Sequence, residues 1–167
     1  MNLLTTKVKD MIGKEKTYLA NEEIGYASIR YFSLAISDHN KLYSDKHFAK
    51  QTKWNEIIAP PTYIFETNQY MSKEINEDGY LGHTWDIPLD IEYSIIRGGN
   101  EYNLYAPLLP STLLEINWKI IDIIEKQSKK TSFLIVTSQV QYFDQNKKLL
   151  AKNIEDMIFM PNKRGNE

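Results

Sequence analysis

Pro60-Pro61-Thr62-Tyr63-Ile64-Phe65-Glu66-Thr67-Asn68-Gln69-Tyr70-Met71-Ser72 is the stretch on which the reading of the fold turns. Two prolines fix φ, and Thr62 stands where a cap belongs, so a helix is predicted to open at Tyr63. Its residues Tyr63, Ile64, Phe65, Tyr70 and Met71 make it a largely apolar helix. A helix of this kind needs a wrapper, and a curved sheet is the simplest one.

The chain beyond it supplies such a sheet. Residues 73–89 hold charges, Gly79, Gly82 and Pro88, and read as a long irregular connection. Ile91–Ile95 then alternates, Gly98-Gly99 interrupts, and Asn100–Tyr105 resumes before Pro107 and Pro110. Leu113–Ile124, Ser132–Phe143 and Leu149–Met160 are long, β-rich runs. Short polar turns at Gln127–Lys130 and Asp144–Lys147 join them, which predicts an antiparallel meander.

Toward the N-terminus the period changes to that of a helix. Asn21 followed by two acids predicts a helix start, with Ile24, Ala27, Tyr31, Leu34 and Ala35 on the buried face. Ser37-Asp38-His39-Asn40 should stop it, and Ser44-Asp45-Lys46 should open a short second helix through Ala49. The expected class is α+β: an antiparallel sheet wrapped around a central helix at about Thr62–Ser72. A single domain over residues 1–167 is expected, with its core at about 13–160, a short N-terminal extension and a polar C-terminal tail.

Composition narrows the function. The net charge is -2, from 20 basic and 22 acidic side chains, which argues against a phosphate-neutralising nucleic-acid binder. The absence of cysteine excludes a disulfide scaffold, zinc-thiolate and iron–sulfur sites, and a cysteine nucleophile. The three histidines, His39, His47 and His83, have no metal-ligand spacing, so no metal is expected. No run approaches the roughly 20 apolar residues of a membrane helix. The N-terminus has charges where a signal peptide is apolar, so a cytoplasmic protein without membrane partners is expected.

The densest polar constellation is Asp38-His39-Asn40-Lys41-Leu42-Tyr43-Ser44-Asp45. Asp38 with His39 has the minimum for general acid–base work, a carboxylate and an imidazole. The same residues also read as the end of one helix and the cap of the next. Glu66 on the apolar helix is either a base or an acid on that helix's wet side. Gly98-Gly99 permits a bulge or close approach to a ligand. His83 reads as an exposed loop histidine beside Trp85, and His47 as lying on a wet helix face.

Three segments in order carry a family resemblance. They are Tyr31-Phe32-x-Leu34-Ala35-Ile36-x-Asp38-x-Asn40-x-Leu42-Tyr43-x-Asp45, Ile57-Ile58-Ala59-Pro60-Pro61-Thr62 and Arg97-Gly98-Gly99-Asn100-Glu101-Tyr102. Together with Pro107-Leu108-x-Pro110-Ser111, they resemble the MaoC-like dehydratase superfamily, closest to its fatty-acid-synthase-type N-terminal dehydratase half. The resemblance implies a hot-dog fold and hydration of an enoyl thioester, or the reverse dehydration of a 3-hydroxyacyl thioester. Coenzyme A or acyl carrier protein would be the carrier, with no metal or redox cofactor. It also implies pairing, as a homodimer or as a heterodimer with a catalytic subunit.

In that family a loop Asp and His activate water, and a backbone N–H at the start of the central helix polarises the thioester. The loop pattern is Asp-x-Asn-Pro-x-His. Asp38 and Asn40 match it, Lys41 takes the proline position, and Tyr43 takes the histidine position. A phenol is a poor base at neutral pH. The usual His-Gly at the oxyanion segment is Pro60-Pro61 here, and prolines have no N–H.

The resemblance therefore implies a substrate-binding subunit, like the non-catalytic chain of the mycolic-acid (3R)-hydroxyacyl dehydratase heterodimers. Asp38, Asn40 and Tyr43 would form a degenerate catalytic loop. Pro61, Thr62, Gly98, Gly99 and Asn100 would lie along the substrate. Two alternatives remain: an autonomous hydratase using Asp38 with His39, and a thioesterase using Glu66.

Overall fold

Residues 2–67, 77, 82–129 and 131–162 are described in a computed structural model of the chain. The elements run α1 (Thr6–Lys9), β1 (Glu15–Leu19), α2 (Tyr26–Ala35), one 3₁₀ turn at Lys41–Tyr43, α3 (Lys46–Lys50) and α4 (Tyr63–Glu66). Then come β2 (Tyr93–Leu104), β3 (Glu115–Gln127), β4 (Ser132–Phe143) and β5 (Leu149–Pro161). All five strands join one antiparallel sheet in the order β1-β3-β4-β5-β2. The predicted meander is β3-β4-β5. Of the predicted central helix, α4 holds the first turn; Tyr70, Met71 and Ser72 lie outside the described residues.

β1 is a strand that sequence pattern did not reveal. It is short and exposed, and Glu15 pairs with Lys119 at 2.8 Å along the open edge. Charged edge residues protect a sheet margin from pairing with another chain, so they hide a strand from hydropathy patterning.

The expected helix at Asn21 starts later, at Tyr26, with Gly25 at the N-cap and no side-chain cap bond. The backbone explains the delay. Ile24 N–H donates to the Thr112 carbonyl, and the Ile24 carbonyl accepts from Ser111 N–H, which holds this segment extended. The later start also turns the helix. Ile29 and Ser33 are buried, whereas Tyr31 and Leu34 are 63% and 51% exposed, opposite to the predicted face. Thr62, expected to cap α4, makes no side-chain cap bond. Asp45 does cap α3 as expected, accepting from the His47 and Phe48 amides.

The two strands expected on either side of Gly98-Gly99 are one strand with a bulge. Arg97 pairs with Met157 and Asn100 with Glu155, so Gly98 and Gly99 together oppose Asp156. A Cβ on Gly98 would lie 2.9 Å from the Asp156 carbonyl oxygen, while one on Gly99 would meet nothing within 4 Å. Gly98→Ala should therefore cost about 1–3 kcal/mol by overpacking, and Gly99→Ala should cost less than about 0.5 kcal/mol. Urea denaturation midpoints of the two variants check this; equal losses would contradict it.

The inner face of the sheet carries two apolar clusters. One joins Ile116, Trp118, Val140, Tyr142 and Ala151 to Tyr63 and Ile64 of α4. The other gathers Ile120, Ile123, Leu134, Val136 and Phe159 around Ile87. Ser138, Asn153 and Glu155 are buried polar residues on the same face. Cross-strand register puts Trp118, Val140, Asn153 and Tyr102 in one row, and Ile120, Ser138, Glu155 and Asn100 in the next. A polar belt thus crosses an otherwise apolar surface. Trp85 Nε1 donates to Ser138 Oγ at 2.9 Å, satisfying one of its members.

Candidate active site

The loop after α2 is shaped by how that helix ends. Ser37 takes φ +58°, Asp38 N–H donates to the Ser33 carbonyl, and Ser37 N–H donates to the Leu34 carbonyl. This paired ending swings the chain out of the helix at Asp38. Asp38 Oδ1 then accepts from Asn40 N–H at 3.2 Å, and Asn40 Oδ1 accepts from Leu42 N–H at 3.0 Å, capping the 3₁₀ turn. That turn delivers Tyr43 inward, where it is 7% exposed and packs in the first core cluster. Burial pushes the Tyr43 phenol up, and the Asp38 carboxylate beside it adds to the rise through its charge and as an acceptor for the phenol O–H.

Asp38 and Asn40 are thus tied to the loop's own amides, and the Tyr43 phenol stands beside the Asp38 carboxylate. His39, beside them, is exposed. At α4 the prolines offer no N–H, and the amide of Tyr63 already donates to the Pro60 carbonyl at 2.9 Å. Thr62 is exposed.

Next to this loop lies an apolar cleft of about 240 Å³. Ala59, Pro61 and Ile64 form one wall, and Leu104, Ala106 and Leu108 the other. The loop and the cleft share their framework: Ile58 N–H donates to the Leu42 carbonyl, and Ala59 N–H to the Leu108 carbonyl. The volume is near the lower end for small-molecule sites and suits a narrow apolar chain.

Asn100, grouped with Gly98 and Gly99 by sequence, lies elsewhere. It lines a smaller polar cavity with Glu66, Arg97, Tyr102, Trp118, Asn153 and Glu155. Asn153 Nδ2 donates to Asn100 Oδ1 at 2.8 Å. Burial raises the Glu155 carboxyl, with Arg97 opposing. Sequence reading missed Trp118, Asn153 and Glu155. Only the β5 alternation placed Asn153 and Glu155 in phase with Ala151 and Phe159.

His83 is buried, which corrects its reading as an exposed loop residue. Its ring lies against Trp85 and Trp118, with centroids at 4.3 and 4.6 Å, and its Nδ1 is 2.6 Å from the Tyr18 hydroxyl. Burial first, then Lys16, lowers its pKa to about 4. An unfolded histidine titrates near 6.5, so as pH falls the unfolded chain takes the proton first. Stability present above about 6.5 is lost between 6.5 and 4, by about 3 kcal/mol in all. Denaturation at about pH 7 and about pH 5 should show a larger drop for the wild type than for His83→Gln. Equal drops would contradict the assignment.

Among the described residues, no three His, Asp or Glu side chains are grouped to hold a metal. No helix among them is long and apolar enough to cross a membrane.

The family model described as "FAS1-like, dehydratase domain region" matches residues 10–153. The chain belongs to this family. Its dehydratase-type fold is the hot dog, α+β, as the central helix and sheet suggested. A UPF0336 protein of Thermobifida fusca is 38% identical over 116 residues, 69% of this chain and 71% of the relative. Another from Streptomyces coelicolor is 30% identical over 98 residues, 59% of this chain, and the match spans only 60% of that relative's length.

A MaoC-like dehydratase from Rhodospirillum rubrum superposes with a TM-score of 0.68 at 16% identity, covering 96% of this chain and all 100% of that one. The HadBC (3R-hydroxyacyl-ACP dehydratase) complex from Mycobacterium tuberculosis does so at 0.66 and 14%, covering 89% and 97%. At these identities the two structures speak for the fold.

Proposed function

We propose that this dehydratase-family chain is the substrate-binding subunit of an acyl-thioester hydratase/dehydratase, paired with a second hot-dog chain that carries the chemistry. The observation that carries this reading is the buried Tyr43 phenol beside Asp38 on this loop. A loop that activates water needs a group able to take a proton near neutral pH. Here the partner of Asp38 is a buried phenol whose pKa lies above its usual value. Pro60-Pro61 supports the reading from the other side, since neither proline has an N–H to offer a developing enolate and the Tyr63 amide is already engaged with the Pro60 carbonyl. The retained part is the apolar cleft, which suits the acyl chain of a coenzyme A or acyl-carrier-protein thioester.

The sheet margin supports a partner. β2 closes the strand order, and its 12 residues have no neighbouring strand on the outer side among the described residues. Ile96, Tyr102 and Leu104 on it, with Tyr105 beyond its end, are each about half exposed. A long edge strand with exposed apolar side chains of this kind is normally covered.

Calorimetric titration of acyl-CoA thioesters tests the binding role. Saturable binding is expected, and Ala106→Trp, which fills the cleft, should abolish it. Absence of binding would overturn the proposal. Release of free thiol, lost in Glu66→Ala, would replace it with a hydrolase.

A further inference from the structure

The polar cavity beneath α4 has features that a merely structural gap lacks. It measures about 30 Å³, room for a water molecule or a hydroxyl but not for a chain. Two of its lining side chains are more than nine-tenths buried and each leaves one polar atom without a hydrogen bond. They are Trp118 Nε1, a donor, on a residue 4% exposed, and Asn153 Oδ1, an acceptor, on a residue 3% exposed. Buried polar atoms are nearly always paired, and an orphan costs about 1–3 kcal/mol. A donor and an acceptor left open in one row of the sheet describe a partner that both accepts and donates. A hydroxyl group does both.

The cavity is also placed in line with the cleft. Leu104 lines the cleft and Tyr102 lines the cavity, two residues apart on the same side of β2, about 7 Å. Ile64 and Phe65, adjacent on α4, divide in the same way. The Phe65–Tyr102 stack, with centroids 4.1 Å apart, lines the cavity, and each of its residues neighbours a cleft-lining one on its own element. The loop of Asp38, Asn40 and Tyr43 meets the cleft at Ile58, whose N–H donates to the Leu42 carbonyl, and lines no part of the polar cavity. A chain entering from the loop side would therefore reach the polar cavity with its far end.

We propose that this cavity is a hydroxyl-binding subsite, and that the protein prefers acyl thioesters bearing a hydroxyl on the acyl chain, remote from the thioester. The proposal rests on the acyl-binding reading above. Trp118 Nε1 donates to the ligand oxygen, and the ligand hydroxyl donates to Asn153 Oδ1. Glu155, whose carboxyl burial raises and Arg97 opposes, lines the same wall. Glu66, Arg97 and Tyr102 line the cavity beside that carboxyl.

The test uses the full chain and two matched series of probes, ω-hydroxyacyl-CoA and unsubstituted acyl-CoA of equal length, titrated by calorimetry with tryptophan emission recorded alongside. At one chain length the hydroxylated probe should bind about tenfold tighter. In Trp118→Phe and in Asn153→Leu that ratio should fall to about one, with the unsubstituted probe unchanged. Trp118→Phe removes the N–H but keeps an aromatic ring in the first core cluster, so it keeps the test open should Asn153→Leu fail to fold.

Equal affinities at every length would overturn the subsite and leave an ordered water only in the cavity, while the acyl-binding reading stands. Tighter binding of the hydroxylated probe that survives in both variants would place the hydroxyl elsewhere and overturn it too. Failure of both series to bind would overturn the acyl-binding reading itself, and the subsite with it.

Discussion

Mixed with a hot-dog chain whose loop keeps an intact acid and histidine, this protein should support enoyl-thioester hydration about ten-thousand-fold faster than it does alone. Two deficits set the figure. A positioned acid–base group is worth about a hundred- to ten-thousand-fold. One oxyanion donor is worth about a hundred- to a thousand-fold. On the proposed reading Tyr43 removes the first contribution and Pro60-Pro61 the second, and the lower ends multiply to the stated gain. Disappearance of the enoyl absorbance in the mixture and in each chain alone gives the measurement. The gain should survive Asp38→Asn in this chain and vanish when the partner's acid is replaced. A mixture no faster than its components would remove the paired-subunit reading.

Phe159→Ala should lower folding stability by about 3–5 kcal/mol, a large share of the 5–15 kcal/mol typical of a domain. Phe159 is 1% exposed, sits in the second core cluster and lies 5.3 Å, centroid to centroid, from the Tyr93 ring. It joins β5 to β4 opposite Leu134 and to β2 opposite Ile95, so the cavity opens where three strands meet. Urea denaturation checks the size of the loss. A cost below about 1 kcal/mol would mean that the cluster is looser than its burial indicates.

Much of the fold was legible because the informative signals are local. Polar turns at Gln127–Lys130 and Asp144–Lys147 separate runs too long and too β-rich to be anything but paired strands. Asp45 caps α3 because a side chain can reach its own next amides without help from the rest of the molecule. What failed depends on distant partners. The start and facing of α2 are set by Ser111 and Thr112, some ninety residues away, which hold Ile24 extended. His83 is buried because Tyr18, Trp85 and Trp118 converge on it, and no local pattern reports that.

The candidate site divides along the same line. The loop residues Asp38, Asn40 and Tyr43 are close in sequence and come together through short-range bonds. The polar cavity draws on α4 and four strands. In β5, apolar residues occupy both phases: Ile154 and Ile158 on one, Ala151 and Phe159 on the other. Alternation alone therefore could not show that Asn153 and Glu155 turn inward.

The most direct test of the central claim is the rate at which the purified chain, without any partner, hydrates crotonyl-CoA, compared with its Asp38→Asn variant. The account predicts that both proceed at the buffer rate while acyl-CoA still binds. Substantial turnover by the lone wild-type chain, lost in Asp38→Asn, would contradict it.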